Sequence, residues 1–270
     1  MNNFIKQTKY LILRRITQFA VIFLYFAGNI WGWQILTGNL SSSQLLTIVP
    51  LSDPFAVMQM FFAGAAISID VIIGALIVTS VYAIIGGRVF CSWVCPINPI
   101  TDLANYLRRK FEFNKITKRQ PSTRNIRFWV LGLSFVLSFF LLVPAFEFIS
   151  PISMVHRGII FGLGFTWAVV LVIFFFDMFV LKNGWCGHIC PLGAFYGIVG
   201  KFSLIRVFHD VEKCTECMKC KEVCPEVQVL PMIAKNTGQV SDSACTNCGR
   251  CLDVCEEEGA LSFSILGKNS

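Results

Sequence analysis

The sequence predicts an all-α membrane bundle of four transmembrane helices, arranged as two pseudo-repeats, followed by a small α+β domain. Composition is the first reason: 55% of the 270 residues are hydrophobic and 14% are charged, against about 25% charged residues in soluble domains. Mean hydropathy is +0.65. Eight of the twelve cysteines lie in a polar stretch after about residue 200. We therefore place the membrane domain at residues 1–200 and the small domain at residues 201–270.

Four apolar runs are long enough to cross the core of a bilayer, which takes about 20 helical residues. They are residues 16–36, 70–87, 126–149 and 159–181. The first run has a basic flank, as a signal peptide has, but its core is longer than usual and no small-residue cleavage site follows. We expect it to be a retained helix. Residues 55–62 are apolar but short, and we expect an interfacial helix there.

Basic residues alternate between the predicted loops. Lysine and arginine in short loops mark the cytoplasmic side of a membrane. The first fifteen residues carry four, residues 37–63 none, residues 88–127 nine, residues 150–158 one, and residues 182–270 nine. This pattern predicts that both termini are cytoplasmic and that the loops 37–63 and 150–158 lie on the outer side. It also explains the net charge of +7, so no nucleic-acid partner is expected.

Two of the apolar runs end in the same motif, Cys-x3-Cys-Pro. The cysteines are Cys91 and Cys95 in "RVFCSWVCPINP", and Cys186 and Cys190 in "NGWCGHICPLGA". Proline suits the first turn of a helix, and the residue before it is kept out of helical geometry. The second cysteine of each motif is therefore expected where the chain leaves the membrane and begins a surface helix.

The polar tail contains two runs, "CTECMKCKEVCP" and "CTNCGRCLDVCE". Both have the C-x2-C-x2-C-x3-C spacing of two-[4Fe–4S] proteins, in which the fourth cysteine of a run ligates the other cluster. Zinc is the alternative, but zinc sites use four ligands in pairs. Glu256 stands where the second run would have proline. The predicted ligands are Cys214, Cys217, Cys220 and Cys255 for one cluster, and Cys245, Cys248, Cys251 and Cys224 for the other.

The four cysteines of the Cys-x3-Cys-Pro motifs suggest a further shared site. Duplicated halves of membrane proteins place shared sites at their interface, and disulfides are rare in the cytoplasm. Our hypothesis is that Cys91, Cys95, Cys186 and Cys190 converge on a third iron–sulfur cluster. Two alternatives stay open: a zinc or redox-active thiol site, and reduced thiols packed at a helix turn.

With these motifs identified, the chain resembles the NapH family of membrane ferredoxin-type subunits of the quinol dehydrogenase that serves periplasmic nitrate reductase. The resemblance covers about residues 13–263 and includes "LRRITQF", "VPLSDP", "FCSWVCPINPITDLANYLRR" and both cluster runs. It implies electron transfer from quinol through iron–sulfur clusters toward a periplasmic reductase, at the bacterial inner membrane. The implied partners are a periplasmic iron–sulfur subunit and a membrane-anchored multihaem cytochrome.

Related membrane ferredoxins share the paired Cys-x3-Cys-Pro motif and act in nitrous oxide reduction or in copper handling for cytochrome oxidase. A role in metalloenzyme maturation or regulation is therefore the alternative function. Whether the chain itself oxidises quinol, and in which direction electrons flow, stays open at this point.

Ionisable residues near the predicted outer face are candidates for a quinol site, because such groups at membrane depth are often functional. Asp70, His156 and Arg157 could accept protons from quinol there. The alternative is that they are solvated or anchor the chain at the interface. Near the inner face, His188 could ligate a metal or donate to a cluster sulfur, and Asp177 is expected to cap a helix or pair with a lysine.

Overall fold

The computed structural model describes residues 2–111, 125–162, 164–257, 259–265 and 268–269. The chain packs into two compact units. The tail unit comprises Met1–Thr17, Val81–Val94 and Tyr196–Ser270, and the helical unit comprises Gln18–Ser80 and Cys95–Phe195. Residues 112–124 of the predicted basic loop lie outside the described residues.

Each of the four apolar runs contains a helix: α1 (Asn2–Ile30), α3 (Ile69–Ile85), α6 (Ile126–Leu141) and α9 (Thr166–Phe175). Judged by length and composition within the described residues, one helix, Thr8–Ile30, is long and apolar enough to cross a membrane. Three further apolar helices have 10–17 residues: Ile69–Ile85, Ile126–Leu141 and Thr166–Val180. Three of the four helices are thus shorter than the apolar runs from which they were predicted.

A small antiparallel sheet follows α1, and the expectation of an all-α bundle missed it. Its strands are β1 (Leu36–Gly38), β2 (Ser42–Leu45) and β3 (Val49–Ser52), in the order β1-β2-β3. The first apolar run does not continue as helix to residue 36, because the backbone turns at Gly32 with φ +73°. Strands of three or four residues show too little alternation to be recognised in a sequence.

The third and fourth helices also differ from the predicted runs. α6 ends at Leu141, because Leu142 has a left-handed φ of 57° and Pro144 cannot continue a helix. Two short helices follow, α7 (Ala145–Ile149) and α8 (Pro151–Phe161). The predicted fourth run is interrupted at Gly162, where φ is +115°, and helix resumes with α9. Two π-helical turns then follow, Phe176–Val180 and Trp185–Ile189.

Three shorter predicted helices are confirmed as helices. α2 is Pro54–Phe62, and its first turn is capped by the Asp53 side chain, which accepts from the N–H of Phe55 at 3.3 Å. α5 (Asn98–Lys110) and α10 (Pro191–Val199) follow the two Cys-x3-Cys-Pro motifs. α10 begins at its proline, whereas α5 begins two residues after the motif's proline. The short helix α4 (Val89–Trp93) carries Cys91.

The tail unit has the predicted α+β character. Its antiparallel sheet has the order β5-β4-β6-β7, from β4 (Ile205–His209), β5 (Gly238–Gln239), β6 (Leu261–Ile265) and β7 (Lys268–Asn269). Two short helices lie between the strands, α11 (Lys219–Val223) and α12 (Arg250–Asp253). The core is formed by aliphatic side chains together with cysteines: Val207, Val229, Leu230, Ile233, Val240, Leu261, Cys220, Cys224 and Cys251.

Candidate iron–sulfur centres

The two cysteine runs of the tail have the same unusual backbone. In the first run Glu216 and Met218 have left-handed φ angles of 55° and 61°. Asn247 and Gly249 have φ angles of 47° and 73° at the equivalent positions of the second run. These left-handed residues turn the chain back on itself, which lets three closely spaced thiols face one volume. A short helix then carries the third cysteine of each run, α11 in the first and α12 in the second.

Two open cavities collect the eight thiols. The first has about 390 Å³ of space, including its solvent-open part, and its wall contains Cys214, Cys217, Cys220 and Cys255. The second has about 370 Å³, and its wall contains Cys224, Cys245, Cys248 and Cys251. Each cavity therefore takes three thiols from one run and one from the other, as crossed ligation by a two-cluster protein requires.

The electrostatics of the cavities favour a cationic occupant. Burial raises the pKa of the Cys220 thiol, and the nearby thiolates of Cys217, Cys255 and Cys214 raise it further. Burial likewise raises the pKa of Cys245 to about 12, with Cys248 adding to the effect. Four thiolates cannot remain ionised together in such a cavity unless positive charge lies among them. An iron–sulfur core supplies that charge, so the donor set fits a [4Fe–4S] cluster in each cavity.

Backbone N–H groups donate to several of these sulfurs. The N–H of Glu226 donates to Cys224 and that of Asn247 donates to Cys245, and both bonds lower the thiol pKa. In each case the donor lies two residues after the cysteine. Hydrogen bonds to ligand sulfurs are one of the means by which proteins set cluster potentials. Within the described residues, no three His, Cys, Asp or Glu side chains are grouped to hold a single metal ion.

The rim of the first cavity faces solvent. Cys217 is exposed, and Lys219 pairs with Glu256 across the surface at 2.5 Å, both side chains being at least half exposed. Glu256 is the residue that replaces the expected proline. Since exposed ion pairs are screened by water, this pair contributes little to stability.

In the tail unit, the segment that carries Cys91 is bound to the loop of the second cavity. The Ser92 hydroxyl donates to the carbonyl oxygen of Thr246 at 2.7 Å, and the Trp93 indole N–H donates to that of Asn247 at 3.1 Å. Both acceptors lie between Cys245 and Cys248. Two side chains adjacent to Cys91 therefore hold its helix against a loop that carries two ligand candidates.

The other three cysteines of the paired motifs belong to the helical unit. Cys95 and Cys190 are buried and Cys186 is half-buried. The turn Trp185–Ile189, which contains Cys186 and the buried His188, is π-helical, a geometry often found at functional sites. α5 packs against this turn, so the helix after one motif contacts the turn of the other. Cys91 lies in the tail unit, whereas the other three lie in the helical unit. The convergence of all four cysteines therefore stays a prediction.

Comparison with known proteins agrees with these centres. A family model described as a 4Fe-4S binding domain matches residues 67–114 and again residues 163–208, once around each Cys-x3-Cys-Pro motif. A second model, a 4Fe-4S dicluster domain, matches residues 206–256. The ferredoxin-type protein NapH of Escherichia coli is 44% identical to the chain, over 82% of the chain and 77% of that protein. The chain belongs to the NapH family.

Two further relatives are similar to the chain to nearly the same degree. The methylamine utilization ferredoxin-type protein MauN of Methylorubrum extorquens is 42% identical, over 85% of the chain and 79% of that protein. NapH of Haemophilus influenzae is 40% identical over 82% of the chain. No solved structure matches the chain. Like the NapH proteins, the chain is an iron–sulfur electron-transfer subunit.

The candidates for a quinol site lie in the helical unit of this NapH-family protein. Asp70 is exposed in the first turn of α3. His156 is buried in α8, and the edge of its ring meets Tyr25 with centroids 4.7 Å apart. Within the described residues, no hydrogen bond or ion pair joins Asp70 to His156 or Arg157.

Sequence reasoning missed Glu147, which the structure places beside Arg157. The Glu147 carboxylate lies 3.5 Å from the Arg157 guanidinium, accepts from the Ser153 hydroxyl at 2.8 Å, and accepts from the Ser41 hydroxyl. It is the one acidic residue of the apolar run 126–149. That isolation within an apolar run is the signal that could have found it.

Proposed function

We propose that the chain is the membrane-bound electron-transfer subunit of a quinol dehydrogenase that passes electrons toward a periplasmic reductase of the nitrate reductase type. The observation that carries the proposal is the grouping of eight thiols into two four-thiol cavities within a chain 44% identical to E. coli NapH. The two cavities and the Cys91 segment beside one of them suit a relay of one-electron carriers.

The proposal includes a transmembrane arrangement. Residues 1–200 form a four-helix domain in the bacterial inner membrane, and residues 201–270 form a cytoplasmic ferredoxin-type domain, with both termini cytoplasmic. Spanning helices have about 17–25 residues, so α3, with 17 residues, lies at the lower limit and α6, with 16, just below it. The alternation of basic residues between loops supports the same orientation.

Electron balance explains why several clusters are useful. Quinol oxidation releases two electrons and two protons, and each [4Fe–4S] cluster, when bound, takes up one electron at a time. The eight tail thiolates would hold the clusters, and the backbone N–H groups that donate to Cys224 and Cys245 would stabilise the negative charge that an electron adds. On the outer face, the carboxylate of Glu147 accepts one of the two protons and the other passes to bulk water, while Arg157 and the two serine hydroxyls hold that carboxylate in place.

The proposed partners are those that the resemblance to the NapH family implies. They are a periplasmic iron–sulfur subunit and a membrane-anchored multihaem cytochrome, which together would carry electrons from this chain to the reductase. No nucleic acid takes part.

A second candidate function is maturation or regulation of a metalloenzyme by the same iron–sulfur centres. The similarity to MauN, whose name places that protein in methylamine utilization, shows that ferredoxin-type proteins similar to this chain also occur outside nitrate respiration. Both functions use the same clusters and differ in what accepts their electrons.

The test is anaerobic redox titration of the purified full-length protein, followed by EPR with and without added quinol. We expect quinol to reduce at least one cluster, and Glu147→Gln to slow this reduction without changing the iron content. Ser153→Ala, which removes one hydrogen bond to Glu147 but keeps the carboxylate, is expected to slow the reduction less than Glu147→Gln. Clusters that dithionite reduces but quinol does not, even with the partner subunits present, would contradict the proposal.

A further inference from the structure

A fully buried arginine of the tail unit lies against the wall of the second cavity. The Arg88 side chain is 1% exposed, and its Nη1 lies 2.9 Å from Oε1 of Glu226, which is 3% exposed. The same nitrogen donates to the carbonyl oxygen of Ala244 at 2.8 Å. The guanidinium therefore bridges two separate segments of the tail.

Both of these segments lead directly to ligand candidates. Glu226 follows Cys224 by two residues and itself lines the second cavity, and Ala244 directly precedes Cys245. The hydrogen bond to Ala244 holds the Arg88 guanidinium beside the residue that directly precedes Cys245. Arg88 thus acts electrostatically on a group that would hold the cluster.

The Glu226 carboxylate opposes that charge from an equally fixed position. Its second oxygen, Oε2, accepts from the Gln228 amide at 2.5 Å, so both oxygens have donors. Because both charges are buried, water and salt screen their effect on the cavity far less than at the surface.

We propose that Arg88 raises the reduction potential of the cluster held by Cys224, Cys245, Cys248 and Cys251, and that Glu226 partly offsets this effect. A cation stabilises the negative charge added on reduction, and a carboxylate destabilises it. The inference rests on the proposed cluster in the second cavity. Arg88 contacts the loop that carries the ligand candidates, whereas the thiolates would bind the iron. In this proposal Arg88 is therefore a positioning residue.

One consequence concerns the two clusters of the tail. The first cavity has at its rim the solvent-exposed Lys219–Glu256 pair, whose effect is screened. The second cavity has the buried Arg88 and the segment that carries Cys91. The second cluster is therefore the one whose potential depends on the stretch Val81–Val94, which continues in sequence into the helical unit at Cys95.

The experiment is EPR-monitored redox titration of the full-length protein and its variants. Arg88→Met is expected to shift the reduction equilibrium of the second cluster at least tenfold toward oxidation, which is about 59 mV for a one-electron couple. Arg88→Lys is expected to give a smaller shift, because it keeps the charge. Glu226→Gln, nearly isosteric, is expected to shift the equilibrium in the opposite direction. Cys255→Ser identifies the signal of the first cluster, which none of these variants is expected to move.

Lys219→Gln is the matched control, because it removes a cation that is exposed near the first cavity. We expect its effect on either potential to be much smaller than that of Arg88→Met. The proposal is overturned if Arg88→Met binds both clusters with unchanged potentials. If Arg88→Met does not fold, the variants Arg88→Lys and Glu226→Gln decide the question. Reduction potentials that shift in the same direction in these two variants, or that do not shift in either, also overturn the proposal. An iron content showing no second cluster in the unsubstituted protein would instead refute the cluster itself.

Discussion

Asn105 and Asn183 exchange two hydrogen bonds within the helical unit. The Asn105 side-chain amide donates to Oδ1 of Asn183 at 2.8 Å, and the backbone N–H of Asn183 donates to Oδ1 of Asn105 at 3.3 Å. Asn105 lies on the helix after the first Cys-x3-Cys-Pro motif, and Asn183 lies three residues before Cys186. A buried amide pair therefore joins the elements next to the two motifs.

Removing either amide of this pair is expected to destabilise the protein. Asn105→Ala leaves polar groups of Asn183 buried without these bonds, which costs about 1–3 kcal/mol. The double variant Asn105→Ala, Asn183→Ala is expected to be less destabilised than the sum of the single variants, because the two residues interact directly. Unfolding of the detergent-solubilised protein measures these changes. Strictly additive effects would contradict the interaction.

Crossed ligation in the tail predicts which serine variants share a spectrum. Cys217→Ser and Cys255→Ser are expected to lose the same cluster signal, and Cys248→Ser and Cys224→Ser the other, because the hydroxyl is a poorer ligand for iron than the thiolate. EPR of the reduced proteins and iron analysis make the comparison. Pairing of Cys224→Ser with Cys217→Ser would show that each run holds its own cluster.

The shared site of the paired motifs can be tested by counting iron. With a third cluster, the full-length protein holds about twelve iron atoms, four for each cubane. The variant Cys91→Ser, Cys186→Ser is then expected to hold about eight and to keep the EPR signals of the tail clusters. Ser92→Ala is a suitable control, since it changes the neighbour of Cys91 and keeps all twelve thiols. Equal iron in the parent and the double-serine variant would reject the third cluster.

A glycine substitution tests the left-handed geometry of the second run. Gly249 has φ +73°, and a Cβ there would lie 2.4 Å from the Tyr10 ring. Gly32 has the same φ, but nothing lies within 4 Å of its Cβ position. Gly249→Ala is expected to cost about 1–3 kcal/mol more than Gly32→Ala, because crowding adds to backbone strain. Thermal unfolding measures the difference, and equal losses would mean that Tyr10 moves aside without cost.

Membrane orientation can be tested with reporter fusions. We expect alkaline phosphatase to be active when fused within residues 37–63 or 150–158, and inactive when fused after the basic loop 88–127 or at the C-terminal end. The reason is the alternation of basic residues between loops. An active fusion at the C-terminal end would contradict the cytoplasmic position of the tail.

The iron–sulfur chemistry could be predicted from the cysteine spacing alone. Ligand spacing is a local property, because three thiols with two residues between each pair can reach one cluster whatever surrounds them. Apolar composition likewise predicted where four of the helices lie, since a continuous apolar stretch of about 20 residues is typical of a helix that crosses a membrane. The ends of those helices were less predictable. They depend on single backbone angles, such as those of Gly32 and Gly162, and on a short sheet with little pattern of its own.

Which distant residues lie beside the candidate sites is visible in the folded chain alone. Arg88 and Glu226 are 138 residues apart, and Glu147 meets Ser41 across 106 residues. No local pattern in the sequence indicates such pairs, because the sequence does not distinguish a buried arginine from an exposed one. Their partners follow from how the chain packs, and packing is what excludes the water that would otherwise screen them.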